Sequence, residues 1–277
     1  MSLLEAIVLG IVQGLTEFLP ISSTAHLKIV PKLLGWSDPG ASFSAVIQLG
    51  TVLAVLGYFR KDLWEIAAGV LQGLRSGRPL EDERSRLGIY IAAATVPIVV
   101  LGLLFQEEIR TGLRSLYVIS ASLILVGVAM AWADRRLTLL GPTKKEVGFA
   151  DAMFVGMAQA LALVPGVSRS GSTIAAALLR GLDRGEAARF SFLLSVPAVT
   201  AAGLKEGYEL LSAGLGDEGI AALLAGTVSS FVVGYAAIAG LIAFLKRRSV
   251  MVFVGYRIAL GLFLLALLGA GVLEHLG

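Results

Sequence analysis

Apolar residues run along this chain in blocks long enough to cross a membrane, separated by short basic connections. A hydrocarbon core takes about 20 residues of helix, with a range of roughly 17 to 25. Six segments fit that length, at 43–59, 87–105, 114–133, 187–204, 219–245 and 251–274. Two further apolar stretches, 3–34 and 148–181, are broken midway by proline and hydroxyl residues. The breaks read Pro20-Ile21-Ser22-Ser23-Thr24 and Pro165-Gly166-Val167-Ser168-Arg169-Ser170-Gly171-Ser172-Thr173. Each half of these stretches is too short to span. Irregular backbone at membrane depth is tolerated only inside protein or beside a watery cavity. Each stretch is therefore predicted to form a re-entrant helix-loop-helix hairpin whose polar tip faces the other tip rather than lipid.

The two hairpins belong to an internal repeat. Residues 7–20 align with 153–165, pairing Gly10 with Gly156, Gln13 with Gln159 and Leu15 with Leu161, before a one-residue slip brings Pro20 opposite Pro165; further on, Phe43-Ser44 matches Phe190-Ser191. Each half then holds one hairpin and three spans, an odd number of crossings, so the second half is expected upside down relative to the first. Loop charges agree with this, because Lys and Arg favour the cytoplasmic side. The connections at 60–86, 134–147, 180–189 and 246–248 carry 16 basic residues, and the opposite face receives 5, Lys28, Lys32, Arg110, Arg114 and Lys205. Both termini are expected outside. The expected fold is an all-α integral membrane protein, one membrane domain over 1–277 with inverted halves at about 1–147 and 148–277.

Composition narrows the class. The 277 residues are 56% hydrophobic and 16% charged, with mean hydropathy +0.83, against about 25% charged in soluble domains. The net charge of +3 reflects loop lysines and arginines, so no nucleic-acid partner is implied. Without cysteine, disulfides, thiolate metal sites and cysteine nucleophiles are excluded, and any catalysis must use oxygen or nitrogen groups. The N-terminus lacks a basic leader and a small-residue cleavage pattern, so the first apolar stretch is expected to stay in the mature protein.

The candidate chemistry lies in the two breaks. Gln13 and Glu17 are spaced i and i+4 before Pro20 and share one helix face, while Gly10 and Gly14 permit close helix packing. A carboxylate inside an apolar run is functional by default. His26 falls about one turn into the helix that Ser22, Ser23 and Thr24 would cap, and a helix N-terminus with free N–H groups also binds anions. The second break combines glycines, hydroxyls and one guanidinium, a composition suited to phosphate. Arg169 costs at least about 2.5 kcal/mol at the bilayer centre on insertion scales. Its bland reading is a salt bridge to Glu17; its functional reading is an anion clamp, with Ser168, Ser170 and Thr173 as further binding residues, where the bland reading of these and of Ser172 is a helix cap or an interhelical hydrogen bond. Together the tips offer a nucleophile (Ser23), an acid–base pair (Glu17, His26) and an anion clamp (Arg169), with Gln13, Ser22 and Thr24 alongside. Glu17 repels phosphate unless it handles protons or a divalent cation lies between them, which makes Glu17 a candidate ligand for such a cation. Arg257 reads as structural and His275 as solvated.

These two segments, Gln13 to His26 and Pro165 to Thr173, resemble the signatures of the undecaprenyl-diphosphatase family, integral membrane enzymes also known for bacitracin resistance. Similarity extends over essentially the whole chain, including 43–50. The resemblance implies hydrolysis of the lipid undecaprenyl diphosphate to the monophosphate in the bacterial plasma (inner) membrane, recycling the carrier for peptidoglycan. It implies site residues at Glu17, Ser23, His26, Ser168, Arg169 and Thr173, and use of magnesium or calcium. Some relatives have glutamate where this chain has Gln13, so Glu17 must carry the carboxylate role alone. Ser23 as covalent nucleophile is preferred over water activated by Glu17 or by the metal. A polyprenyl-phosphate transporter or flippase is the rival function, since inverted repeats and broken helices also describe secondary transporters. Whether two copies form a homodimer is not written in the sequence.

Overall fold

The computed structural model describes residues 1–38, 40–106, 108, 115–144, 146–213 and 219–273, and these fold into helices and turns alone. Arg110, Arg114, Lys145 and His275 lie outside the described residues, as do the ends of the expected spans at 114 and 274.

The first hairpin is α1 (Leu3–Phe18) and α2 (Ser23–Leu34). A capping box starts α1, with Ser2 Oγ accepting from the Glu5 amide and Glu5 Oε2 accepting from the Ser2 amide. Pro20 stops it, because a proline pushes the preceding residue out of the helical region, and Leu19 is extended at ψ 141°. The second hairpin is α7 (Phe149–Ala160), a 3₁₀ turn at Leu161–Leu163, and α8 (Arg169–Leu179). Pro165 acts on Val164 in the same way, at ψ 123°. At about 1.5 Å per residue, the 16 residues of α1 reach about 24 Å, short of a hydrocarbon core of about 30 Å.

Among the described residues, five helices are long and apolar enough to cross a membrane: α5 (Glu83–Leu104), α6 (Leu116–Leu140), the first part of α9 (Arg184–Ala213), α10 (Ile220–Leu245) and α11 (Met251–Gly269). The chain is thus a multi-pass membrane protein. The remaining expected span, 43–59, is α3 (Gly40–Tyr58), which bends by 70° into α4 (Arg60–Arg75). Where a basic connection is expected at 60–86, α4 is an amphipathic helix with Trp64 77% exposed.

Close packing of backbone on backbone seats each hairpin. A Cβ on Gly10 would lie 2.2 Å from the Gly226 carbonyl oxygen of α10, and one on Gly156 2.2 Å from that of Ala94 in α5. Only glycine permits such approaches, the small-residue device of membrane helices. Phe18 at the end of α1 meets Phe192 of α9 edge to face at 5.6 Å, tying the first tip to the second half of the chain.

Candidate active site

Both breaks solve the same local problem in the same way. Among the described residues, only two besides glycines have positive φ, Ser22 at 77° and Ser168 at 68°, each immediately before the second helix of its hairpin. Such conformations cost about 1 to 3 kcal/mol apiece and persist where surrounding structure imposes them. They turn the chain abruptly, so that α2 and α8 start with free amide groups beside the break. The offset of 146 residues between Gly10 and Gly156 also relates Ser22 to Ser168, with Pro20 opposite Gly166. The one-residue slip is therefore confined to the prolines, where extended Leu19 matches extended Val164, and is undone by Ser22 and Ser168.

The tips meet, as expected. Arg169 Nη2 of the second hairpin donates to Glu17 Oε1 of the first at 3.0 Å, with the two side chains 11% and 14% exposed. Glu17 Oε2 accepts from Ser23 Oγ at 2.6 Å and from Gln13 Nε2 at 3.2 Å. Arg169 Nη1 and Gln13 Oε1 are buried without a hydrogen-bond partner. One carboxylate thus orients a serine hydroxyl, and the guanidinium that neutralises it keeps donor capacity for an anion. Ser170 Oγ donates to the Leu19 carbonyl at 3.1 Å, and the Gly166 amide donates to Thr24 Oγ1 at 3.4 Å, stitching one break to the other. Ser22 and Thr24 hydroxyls are 3.1 Å apart.

Other candidates stand back from this cluster. Ser168 Oγ caps α8 at the Gly171 amide. Ser172 and Thr173 both donate to the Arg169 carbonyl, and Thr173 also pairs with Ser191. Thr173 therefore packs behind Arg169 and fixes its backbone. His26 bonds neither Glu17 nor Ser23: its Nδ1 meets the Ser22 carbonyl at 2.7 Å and its Nε2 the Tyr256 hydroxyl at 2.6 Å.

Arg257, read from sequence only as structural, holds both tips. Fully buried in α11, its guanidinium donates to the carbonyls of Pro20 (3.1 Å), Gly166 (3.0 Å) and Val167 (3.0 Å), and to those of Ser122 and Leu123 in α6 (both 3.2 Å). Pro20 and Gly166 are equivalent in the repeat, so one cation staples the same carbonyl of both breaks. The insertion-cost argument applied to Arg169 was the available signal for Arg257; Tyr256 and Ser191 carried none.

The donor set argues against a cation held by protein alone. Among the described residues no three acidic or histidine side chains converge, and both oxygens of Glu17 already accept from neighbours. The cleft lined by Glu83, Arg86, Glu146 and Arg189 includes none of these residues.

Fold and site define a class: a multi-pass helical membrane protein with a buried cluster of Glu17, Arg169, Ser23 and Gln13 where the tips of two broken hairpins meet. Residues 6–263 match the family described as bacitracin resistance protein BacA. The chain is similar to the undecaprenyl-diphosphatase of Chlorobium phaeobacteroides, 54% identical over 99% of this chain and 100% of that protein. It is likewise similar to those of Chlorobium phaeovibrioides, at 51% over 99% of both chains, and Chlorobaculum parvum, at 49% over 98% of this chain and 99% of that one. The chain belongs to the BacA family.

Proposed function

We propose that this protein hydrolyses undecaprenyl diphosphate to undecaprenyl phosphate and inorganic phosphate, in the bacterial plasma membrane and as an inverted repeat with both termini outside. The observation that carries the reading is the Ser23 hydroxyl donating at 2.6 Å to a carboxylate that Arg169 clamps from the opposite hairpin. Full-length relatives at about half identity bearing that activity in their names support the substrate.

In the proposed reaction the diphosphate approaches Arg169 and the free amides at the starts of α2 and α8, where preorganised donors stabilise developing charge. Phosphate competes with Glu17 for the guanidinium. As that ion pair loosens, Glu17 takes the Ser23 proton and Ser23 Oγ attacks the terminal phosphorus. The phosphoanhydride P–O bond breaks, and its electron pair leaves with undecaprenyl phosphate. Water then attacks the phosphoserine, releasing inorganic phosphate and restoring Ser23. No step is routed through a cation, for which the residues offer no site of their own; a magnesium or calcium ion serving this reaction travels with the diphosphate.

The test is phosphate release from a polyprenyl diphosphate by purified protein in detergent. Glu17→Gln is expected to slow release about 10²- to 10⁴-fold, the usual contribution of a positioned base. Ser23→Ala should cut kcat with smaller effects on KM, while Arg169→Ala should raise KM and lower kcat together. Full activity in Ser23→Ala would overturn the covalent route. No release by the wild type under any condition would overturn the diphosphatase reading.

A further inference from the structure

The partners of His26 raise a question the cluster does not answer, because neither ring nitrogen faces the groups thought to react. The Ser22 carbonyl can only accept, so the 2.7 Å contact at Nδ1 requires a proton on Nδ1. A neutral His26 then has its lone pair on Nε2, and the group 2.6 Å from it is the Tyr256 hydroxyl, which must donate. The planes of the two rings are nearly parallel, 10° apart, with centroids at 5.6 Å. His26 is 8% exposed and Tyr256 45% exposed. The hydroxyl is therefore the group that closes the Nε2 side of a buried imidazole. Tyr256 also precedes Arg257, whose guanidinium grips Pro20, so the register of α11 against the first tip is fixed one residue away.

We propose that Tyr256 is a positioning residue that acts through His26. With the Ser22 carbonyl it fixes the imidazole plane and the Nδ1–H tautomer, its hydroxyl donating to Nε2 and holding the ring beside the first tip. No bond to phosphorus is made by either residue. Glu17 takes the Ser23 proton, while Tyr256 keeps His26 in one plane and one tautomer near the start of α2. The effect on turnover rests on the diphosphatase reading; the hydrogen bond does not.

Two measurements on full-length protein in detergent test it. In the first, Tyr256→Phe, which keeps the ring, is expected to lower kcat for polyprenyl diphosphate about 10- to 100-fold, the usual effect of removing a partner that orients a functional histidine. KM should stay within about twofold and the melting temperature unchanged. In the second, ¹⁵N-histidine NMR uses the presence of only 2 histidines in the chain, with His275→Gln leaving the His26 signal alone. Neutral His26 should show the Nδ1–H tautomer in both proteins, with the Nε2 resonance moving toward that of a free acceptor in Tyr256→Phe. An Nε2–H tautomer, an Nε2 resonance indifferent to the substitution, or an unchanged kcat would each overturn the proposal. A fall in kcat matched by an equal fall in stability would reduce Tyr256 to packing and overturn it too. A wild type that releases no phosphate would overturn the diphosphatase reading instead, and the NMR result would still decide the hydrogen bond.

Discussion

Replacing Arg257 with methionine keeps a long side chain and removes hydrogen bonds to five backbone carbonyls. Those of Ser122 and Leu123 lie within α6 and still accept from their own helix. Those of Pro20, Gly166 and Val167 lie in the breaks and, among the described residues, accept from no other backbone amide or side chain. A buried acceptor left without a donor costs about 1 to 3 kcal/mol, so these positions together cost about 3 to 9 kcal/mol. The variant no longer has to desolvate a guanidinium, which offsets part of this, and the net loss expected is about 3 to 5 kcal/mol. At about 2 to 4 °C per kcal/mol for chains of this size, the melting temperature in detergent should fall by roughly 6 to 20 °C. The tips also lose their common staple, and a misplacement of about 1 Å between reacting groups costs on the order of 10²-fold in rate. Phosphate release is therefore measured well below each melting point. Arg257→Lys, with the charge kept but fewer donors and no planar fork, should fall between the two. A methionine variant with wild-type melting temperature and turnover would refute the argument.

Three further outcomes are expected. Gly10→Ala sets a methyl 2.2 Å from the Gly226 carbonyl oxygen, so α1 must move off α10 at a cost of about 1 to 3 kcal/mol or more; Gly240→Ala, with nothing within 4 Å, should instead stabilise by about 0.5 to 1 kcal/mol through helix propensity, both read as melting temperatures. At the start of α7, burial pushes the Asp151 carboxyl up, but hydrogen bonds from Lys144 and Arg180 outweigh it and hold the group below its usual 3.8. The unfolded chain then binds that proton more tightly, so the carboxylate contributes stability above about pH 4 that is lost as pH falls through the lowered value; Asp151→Asn should lower the melting temperature at neutral pH and flatten this acid limb. Chelation with EDTA should leave the melting temperature of the unliganded protein unchanged, because both Glu17 oxygens are satisfied by Arg169, Ser23 and Gln13, while raising the apparent KM for diphosphate; a drop in melting temperature would show a cation held by the protein itself.

How much could be read from the sequence depended on whether a feature leaves a trace in residue type. The hairpins were legible because proline and hydroxyls inside an apolar stretch break a helix wherever they fall. The Glu17–Arg169 contact answers to the bland reading of Arg169, since opposite charges in lipid find each other. Thr173 was read as a ligand on account of its place beside Arg169, yet its hydroxyl turns to the Arg169 carbonyl and Ser191, a side-chain direction that the order of residues does not encode. Arg257 reads from the sequence only as structural, and its partners are carbonyls, which every residue has. Tyr256 pairs with a histidine 230 positions away. The helix α4 was hidden by its charges, which were counted as loop residues although Leu63, Ile66 and Val70 recur at helical spacing.

The same accounting explains why serine stands at both strained turns. Glycine would adopt φ near 70° without steric cost, and both Ser22 and Ser168 hold such angles at the expense of stability. At Ser168 the hydroxyl returns something to the fold, since it caps α8 at Gly171. Ser22 caps nothing; its hydroxyl meets only Thr24, while its carbonyl orients His26. A purely structural origin for the serine at position 22 is therefore weak. The hydroxyl at position 22 is thus held against strain beside the start of α2 and one residue before Ser23, with Thr24 as its hydrogen-bond partner among the described residues.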